Sequence, residues 1–295
     1  QEFDSPTECQ KGYIMFIPKI GTRKSKLAHA YTLMAKEAVG LQMETVLIDS
    51  KADLNPSTSI EEMGGKGVFC KEIEQSLMDG DIDIACHAFK DLTRDNDKYL
   101  EVPCVVTRND HHDCLVGNNI NPRTIGTSSP RRIQQIRDLY PNAEIIPIRG
   151  NIDTRIQKQE NGEYDAIILA KAGLDALGIS DKISRVFGTA DILPAPGQGV
   201  IALQCRKSDK DYMFSVSKVL SDKNCLDTWY TCMAEKQALI EIDGDCHTAV
   251  GMLSVIDGGI IKIIGKNFET DKLGIVSGPK HEYEQLGSDL GRSLI

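Results

Sequence analysis

The chain has 295 residues, 34 Lys plus Arg against 43 Asp plus Glu, and a formal net charge of −9. With 41% hydrophobic and 26% charged residues it is composed like a globular protein rather than a disordered or fibrous one. At ~100–200 residues per domain, this length predicts two or three domains. The acidic balance argues against nucleic acid as the main partner, and no run approaches the ~18–20 uncharged apolar residues of a membrane span.

In chain order, a strand-type run from Tyr13 (YIMFIP) is followed by helical spacing over Lys24 to Val39, with Leu27, Ala30, Tyr31, Met34 and Ala38 on one stripe. A second strand begins at Met43 (METVLID). The polar, glycine-bearing stretch from Ser50 to Gly67 then reads as a mobile loop. Gly67 to Met78 has helical spacing at Phe69, Ile73 and Leu77, and Asp81 opens a third strand (DIDIACHAF). Further strands are expected from Glu144 (EIIPIRG) and Tyr164 (YDAIILA). Two stretches, Glu101 to Asp113 and Leu193 to Gly199, read as crossings between periodic blocks and as candidate hinges. This βαβ grammar predicts open sheets flanked by helices, with ligands gathered where strand ends meet helix N-termini. The end of the chain differs: a helix near Thr228 to Ile240, then VGMLSVIDGGIIKIIGK with a hairpin turn at Asp-Gly-Gly, predicts a small α+β domain.

Nine cysteines at 9, 70, 86, 104, 114, 205, 225, 232 and 246 form no CxxC pair and no regular framework, which fits a reducing compartment. Cys86 and Cys205 sit in apolar runs and are expected in the core. His111-His112-Asp113-Cys114 has metal-capable residue types, but adjacent side chains diverge and no second ligand cluster accompanies them, so no metal site is expected. GxGxxG and GxxxxGK[ST] are absent, which excludes those nucleotide-binding loops.

Six of the twelve arginines (123, 131, 132, 137, 149 and 155) fall within residues 123–155, against only Asp138, Glu144 and Asp153. The arginine fork matches carboxylates and phosphates, so a polyanionic ligand is one reading. A solvated helix face pairing with acids is the other. Within the cluster, GTSSPRR (Gly126 to Arg132) combines a glycine, three hydroxyls and a helix start, the composition of an anion cradle. Lys90 and Asp91 follow a strand-like run. From the residues alone they also read as a surface pair beside Arg94 and Asp95.

GTSSPRR, IRGNIDTR (Ile148 to Arg155), NGEYDAIILAKAGL (Asn161 to Leu174) and LPAPGQG resemble, in this order, motifs of the porphobilinogen deaminase (hydroxymethylbilane synthase) family. Upstream, IGTRKSKLA, GGKGVFCKEIE and DIACHAFKDL are similar to the family's earlier motifs, and GDCHTAVG lies where the family carries its cofactor cysteine. The resemblance covers about residues 12 to 255. It implies three domains, two α/β units built like periplasmic binding proteins and a small α+β C-terminal unit. The expected boundaries are 1–103 with 200–218, 104–199, and 219–295.

The activity the resemblance implies is head-to-tail condensation of four porphobilinogen molecules with loss of ammonia onto a dipyrromethane primer held by Cys246, followed by hydrolytic release of the linear tetrapyrrole. It implies Asp91 as the catalytic carboxylate. It places Arg23, Ser25, Lys90, Thr127, Ser129, Arg131, Arg132 and Gln198 on the cofactor, and Arg149, Arg155, Lys66 and Lys71 on the substrate or growing polypyrrole. Lys66 and Lys71 belong to a loop expected to close over the site, and Lys171 has no assigned role. The chain departs from the family at Asp245 and at His247-Thr248-Ala249-Val250, where the family usually has glycine and Gln-Val-Pro-Ile, and at Lys236, where arginine is commoner. A carboxylate beside Cys246 tends to raise its thiol pKa and His247 offsets that. A monomer working in the cytoplasm, or in a plastid stroma after loss of a transit peptide, is expected. The competing reading is a non-catalytic two-domain anion-binding protein, which has no need of a third domain carrying a cysteine.

Overall fold

The computed structural model describes residues 17–50, 70–92, 98–207, 211–245 and 247–295, with backbone only at 211–215. The chain builds β1 (Lys19–Arg23), α1 (Lys26–Val39), β2 (Glu44–Ile48), α2 (Lys71–Asp79), β3 (Ile84–Ala88) and β4 (Leu100–Val105). It then builds β5 (Asp113–Val116), β6 (Thr124–Gly126), α3 (Pro130–Leu139), β7 (Glu144–Ile146), α4 (Ile152–Glu160), β8 (Ala166–Ala170), α5 (Lys171–Ala176) and β9 (Ile183–Val186). The remaining elements are β10 (Ile201–Arg206), α6 (Asp211–Ser221), α7 (Leu226–Glu241), β11 (Val250–Asp257), β12 (Ile260–Asn267), β13 (Lys272–Pro279) and α8 (Tyr283–Ser293).

The strands form two five-stranded sheets and one three-stranded sheet. The first sheet has the order β2-β1-β3-β10-β4 and the second β7-β6-β8-β5-β9. In each, three parallel strands are followed by one antiparallel strand, β10 or β5, and an edge strand that runs with the first three. The fold is therefore mixed α/β. The antiparallel strands arise because the chain changes sheets twice: it leaves the first through β4 to enter the second at β5, and returns from β9 to β10. The two crossings run side by side, with Val106 N donating to Ile201 O at 3.1 Å and Asn109 N to Gly199 O at 2.8 Å. Gly199 needs its freedom here: φ is +85°, and a Cβ would lie 2.7 Å from the Asn109 carbonyl.

The central strands are buried on both faces, as helix-covered strands require. Ile20, Ile84, Cys86, Leu203 and Cys205 pack under α1 on one face of the first sheet, while Ala85 and Leu100 meet Ile73 and Leu77 of α2 on the other. Ile125, Ile136 and Ile168 fill one face of the second sheet, and Ile148, Ile167 and Leu174 the other. The C-terminal unit is a β11-β12-β13 meander whose Met252, Ile261 and Ile263 pack on Ala234, Ala238 and Leu290 of α7 and α8. Gly258 and Gly259 supply the positive φ of its first hairpin. Among the described residues no helix is long and apolar enough to cross a membrane.

Two expected boundaries move. The first strand starts at Lys19, not among the described part of Tyr13–Pro18, because Pro18 has no N–H to give a central strand. The crossing expected over Glu101 to Asp113 is strand through Val105. β4 is an edge strand, with Leu100, Val102 and Cys104 buried, and Pro103 falls where its register against β10 shifts. The pattern was broken by that proline, which an edge tolerates.

A single buried ion pair ties the crossings to the C-terminal unit. Arg108 meets Glu235 in bidentate fashion at 2.9 and 2.7 Å, and the Glu235 carboxylate also accepts from Gly197 N at 2.6 Å and Ser254 N at 2.7 Å. Arg108 Nε donates to Gln198 O. Four segments distant in sequence thus converge on one fully buried carboxylate of α7.

Candidate active-site cleft

The carboxyl end of β3 turns sharply. Ala88 is extended, and Phe89–Asp91 form one 3-10 turn. Phe89 is buried beneath the turn among Val102, Val105 and Val200, and its N–H donates to Val200 O. That anchor leaves Lys90 and Asp91 half-buried at the strand end, facing the cleft between the sheets. The Asp91 carbonyl accepts from the Cys70 thiol at 3.1 Å. Its carboxylate has no hydrogen-bond partner among the described residues, and it lines a pocket with Arg23, Ser25, Leu27, Tyr31, Ile73 and His87. His87 is committed elsewhere. Its Nε2 lies 3.0 Å from Gln204 Oε1, Gln204 bonds Glu74, and burial pushes the imidazole down to about 4 so that it stays neutral.

Arg23 ends β1 and reaches across the cleft to Asn151 Oδ1 at 3.5 Å, the residue that opens α4. Ser25 caps α1, its hydroxyl accepting from Ala28 N at 3.2 Å. On the opposite wall, GTSSPRR runs from the end of β6 into α3. Thr127 is buried with its N–H on Ile146 O, Ser129 is the N-cap, and Pro130 takes the first helical position.

Arg131 and Arg132 turn inward rather than outward. Asp113, at the start of β5 and fully buried, receives Arg131 Nη1 at 2.7 Å and Arg132 Nη2 at 2.6 Å. The same two guanidinium groups donate to the carbonyls of Leu193 and Ile168. Burial alone would raise the Asp113 carboxyl, but the two adjacent arginines hold it well below the usual carboxylate range. Gln198 extends the network, donating from Nε2 to Asp113 Oδ1 at 3.0 Å and to His111 O at 2.8 Å, and accepting from Lys90 Nζ at 3.3 Å. Lys90 of the first sheet is thereby joined through the second crossing to the arginines of the second sheet. Its ammonium is pushed down to about 8 by burial and by Arg132, against the pull of Asp91 and Asp113.

Arg149 and Arg155 differ from that pair. Arg155 Nε donates to Gly150 O at 2.7 Å, and Gly150 takes φ +112° to present that carbonyl. Neither arginine has a carboxylate partner among the described residues. Burial, with Arg132 and Arg149 nearby, pushes Arg155 down to about 10, while Asp91 opposes the shift. Uncompensated cations of this kind in a partly buried cleft are a site for an anion. Lys71 is exposed at the start of α2 and is not part of this constellation. Lys66 and Cys246 lie outside the described residues, as do positions 51–67 of the expected loop.

The residues flanking position 246 make a turn of their own. Asp245 Oδ1 accepts from His247 N at 2.8 Å, and Thr248 Oγ1 accepts from Asp245 N at 2.8 Å. Side-chain hydrogen bonds do here what a glycine pair does by conformational freedom. His247 Nε2 is buried without a hydrogen-bond partner among the described residues. In the cleft, Arg149, Arg155 and Asp91, which have no counter-ion among the described residues, fit a polyanionic pyrrole group. Among the described residues no group of three His, Cys, Asp or Glu side chains is placed to hold a metal.

Two residues central to this arrangement went unread in the sequence: Asp113 and Arg108. Asp113 stood out only as part of His-His-Asp-Cys. The usable signal was a carboxylate immediately ahead of an apolar run, a position where burial demands a cation.

The matching family model is "Porphobilinogen deaminase, dipyromethane cofactor binding domain", over residues 19–213. The chain is 36% identical to the porphobilinogen deaminase of Acetivibrio thermocellus over 292 residues, covering 94% of this chain and 97% of that protein. It is 35% identical to that of Alkaliphilus oremlandii, covering 94% and 96%. Among solved structures, the VFT2 domain of Bordetella pertussis BvgS matches with a TM-score of 0.40 and 15% identity, over 70% of this chain and 86% of that one.

Proposed function

The chain belongs to the porphobilinogen deaminase family, and we propose that the cleft between its two five-stranded sheets is where the family's reaction takes place. The activity is that of a transferase of porphyrin biosynthesis: four porphobilinogen molecules are condensed head to tail with loss of ammonia, and the linear tetrapyrrole hydroxymethylbilane is released. Dipyrromethane is the cofactor. Attached through Cys246, it would supply the pyrrole carbon to which the first unit is joined, each later unit adding to the one before it.

The observation that carries the assignment of the site is the pairing of two cations without counter-ions, Arg149 and Arg155, with the unpartnered carboxylate of Asp91. Porphobilinogen carries an acetate and a propionate, so each added unit brings two carboxylates. In our reading Arg149 and Arg155 hold carboxylates of the incoming unit, and the bidentate fork fixes ring orientation before reaction. Asp91 accepts the pyrrole N–H. From that position its negative charge stabilises the cation that develops when ammonia leaves, and it takes the proton shed when the ring regains aromaticity.

Arg131 and Arg132, oriented by Asp113, present their remaining N–H groups to primer carboxylates, with Lys90, Thr127, Ser129 and Gln198 beside them. Arg23 and Ser25 complete the first-sheet side. The resemblance also implies Lys66 and Lys71 on the substrate, although Lys71, exposed at the start of α2, stands outside the residues grouped here. One chain supplies every group in this reading, so it needs no second subunit, nucleic acid or membrane. No disulfide joins two of the seven described cysteines, which suits a reducing setting such as the cytoplasm or a plastid stroma.

Intact mass of the purified chain against Cys246→Ser is the test. The expected result is an excess equal to two deaminated porphobilinogen units in the parent and none in the variant. An unmodified parent that gains no mass with porphobilinogen refutes the reading.

A further inference from the structure

Tyr31 reads as a core residue on the apolar stripe of α1, and only 9% of it is exposed. Its ring packs with Ile20, Ala35 and Cys86, as that stripe requires. The residue also lines the pocket that holds Asp91, Arg23 and Ser25. Its ring is buried, while its hydroxyl oxygen keeps access to the pocket and has no hydrogen-bond partner among the described residues.

The groups around it cannot serve. Asp175, across the cleft on α5, is held by Lys171 at 2.7 Å and Ser180 at 2.6 Å, and His87 is bonded to Gln204. Burial, followed by the charges of Asp91, Cys86 and Asp175, pushes the phenol pKa upward, so the group remains an O–H donor throughout the working range of an enzyme. A neutral donor, fixed in position and aimed into a pocket with one arginine and apolar walls of Leu27 and Ile73, matches a pyrrole ring bearing a carboxylate: the ring lies against the apolar walls and the carboxylate spans Arg23 and the phenol.

We propose that Tyr31 is a substrate-binding residue whose hydroxyl donates to a ring carboxylate of the pyrrole seated over Asp91. The inference rests on the cleft being the site of condensation. It adds specificity for the side chain of that ring, which Asp91 does not read.

Tyr31→Phe removes one oxygen and keeps the ring in the core. Loss of a hydrogen bond to a charged group should raise KM for porphobilinogen about tenfold to a hundredfold, with kcat within twofold of the parent. The loaded mass should equal that of the parent. A parent that stays unloaded after incubation with porphobilinogen would instead strike the proposed function itself, which keeps the two failures apart. Analogues of porphobilinogen lacking either the acetate or the propionate, used as competitive inhibitors, locate the partner: the variant-to-parent ratio of inhibition constants should fall to about one for the analogue missing the carboxylate that Tyr31 holds, and stay high for the other. An unchanged KM, a fall in kcat alone, or equal ratios for both analogues overturns the proposal.

Discussion

Replacing Asp113 by asparagine takes one negative charge from a site with no exposed surface and leaves Arg131 and Arg132, both buried, facing an amide. Breaking a buried ion pair by removing one partner costs about 3–5 kcal/mol, because the orphaned charge stays desolvated. Here two cations lose their counter-ion, so the upper part of that range applies. At roughly 2.1 cal/mol/K per residue, unfolding 295 residues carries about 0.6 kcal/mol/K, and a loss of about 4–5 kcal/mol converts to a fall in Tm of about 6–8 °C.

The pH dependence gives a second handle on Asp113. Its folded pKa lies below the unfolded value near 3.9, so its contribution is fully present above that value and is lost as pH falls toward the folded pKa. The gap in Tm between parent and Asp113→Asn should therefore be constant from about pH 5 to 8 and narrow below about pH 4. Scanning calorimetry across that range is the assay. A variant within about 1 °C of the parent at neutral pH, or a gap that widens in acid, would refute the argument that Asp113 holds the two arginines as a charge.

Arg149→Ala and Arg155→Ala should behave oppositely. Each should raise KM for porphobilinogen by one to two orders of magnitude, the worth of a charge-assisted hydrogen bond, with a loss of Tm smaller than that of Asp113→Asn, because neither arginine has a carboxylate partner among the described residues and Arg155 gives up only its bond to Gly150 O. Steady-state kinetics and melting on the same preparations check both halves. Lys90 is charged only below about pH 8 in the free enzyme, so kcat/KM should decline as pH rises through that value, and Lys90→Arg should move the alkaline limb beyond pH 9. Glu235→Gln leaves Arg108 without its counter-ion and weakens the acceptor for Gly197 and Ser254. Faster amide hydrogen exchange at those two residues and at 106–112 is expected, and unchanged protection would show that the crossings are held by other contacts.

Local signals were enough for much of the scaffold. Helical spacing located α1 and α7, β-branched runs located β2, β3, β7 and β8, and Asp-Gly-Gly located the β11–β12 hairpin, because each depends on neighbours a few residues away. The strands that were not read, such as β4, β5 and β10, are short or interrupted and become strands by pairing with partners far along the chain. β10 is the clearest case. Its six residues pair with β3 and β4 about a hundred residues earlier, and nothing local announces that.

The site divides along the same line. Residue types and motif order in the sequence pointed to a polyanionic pyrrole chemistry, since arginine clusters and a strand-end carboxylate are chemical facts that survive without coordinates. How the arginines are partnered depends on the fold. Composition alone did not separate the six, and only the resemblance gave them different roles. Asp113, brought in by the first crossing, engages Arg131 and Arg132, while Arg149 and Arg155 meet no acid among the described residues. Tyr31 likewise satisfies the apolar spacing of its helix, and only the tertiary arrangement sets its hydroxyl beside Asp91. Periodicity says which face of an element is buried. What each buried polar group then meets depends on segments a hundred residues away, and the energy of that meeting decides whether the group serves the fold or the ligand.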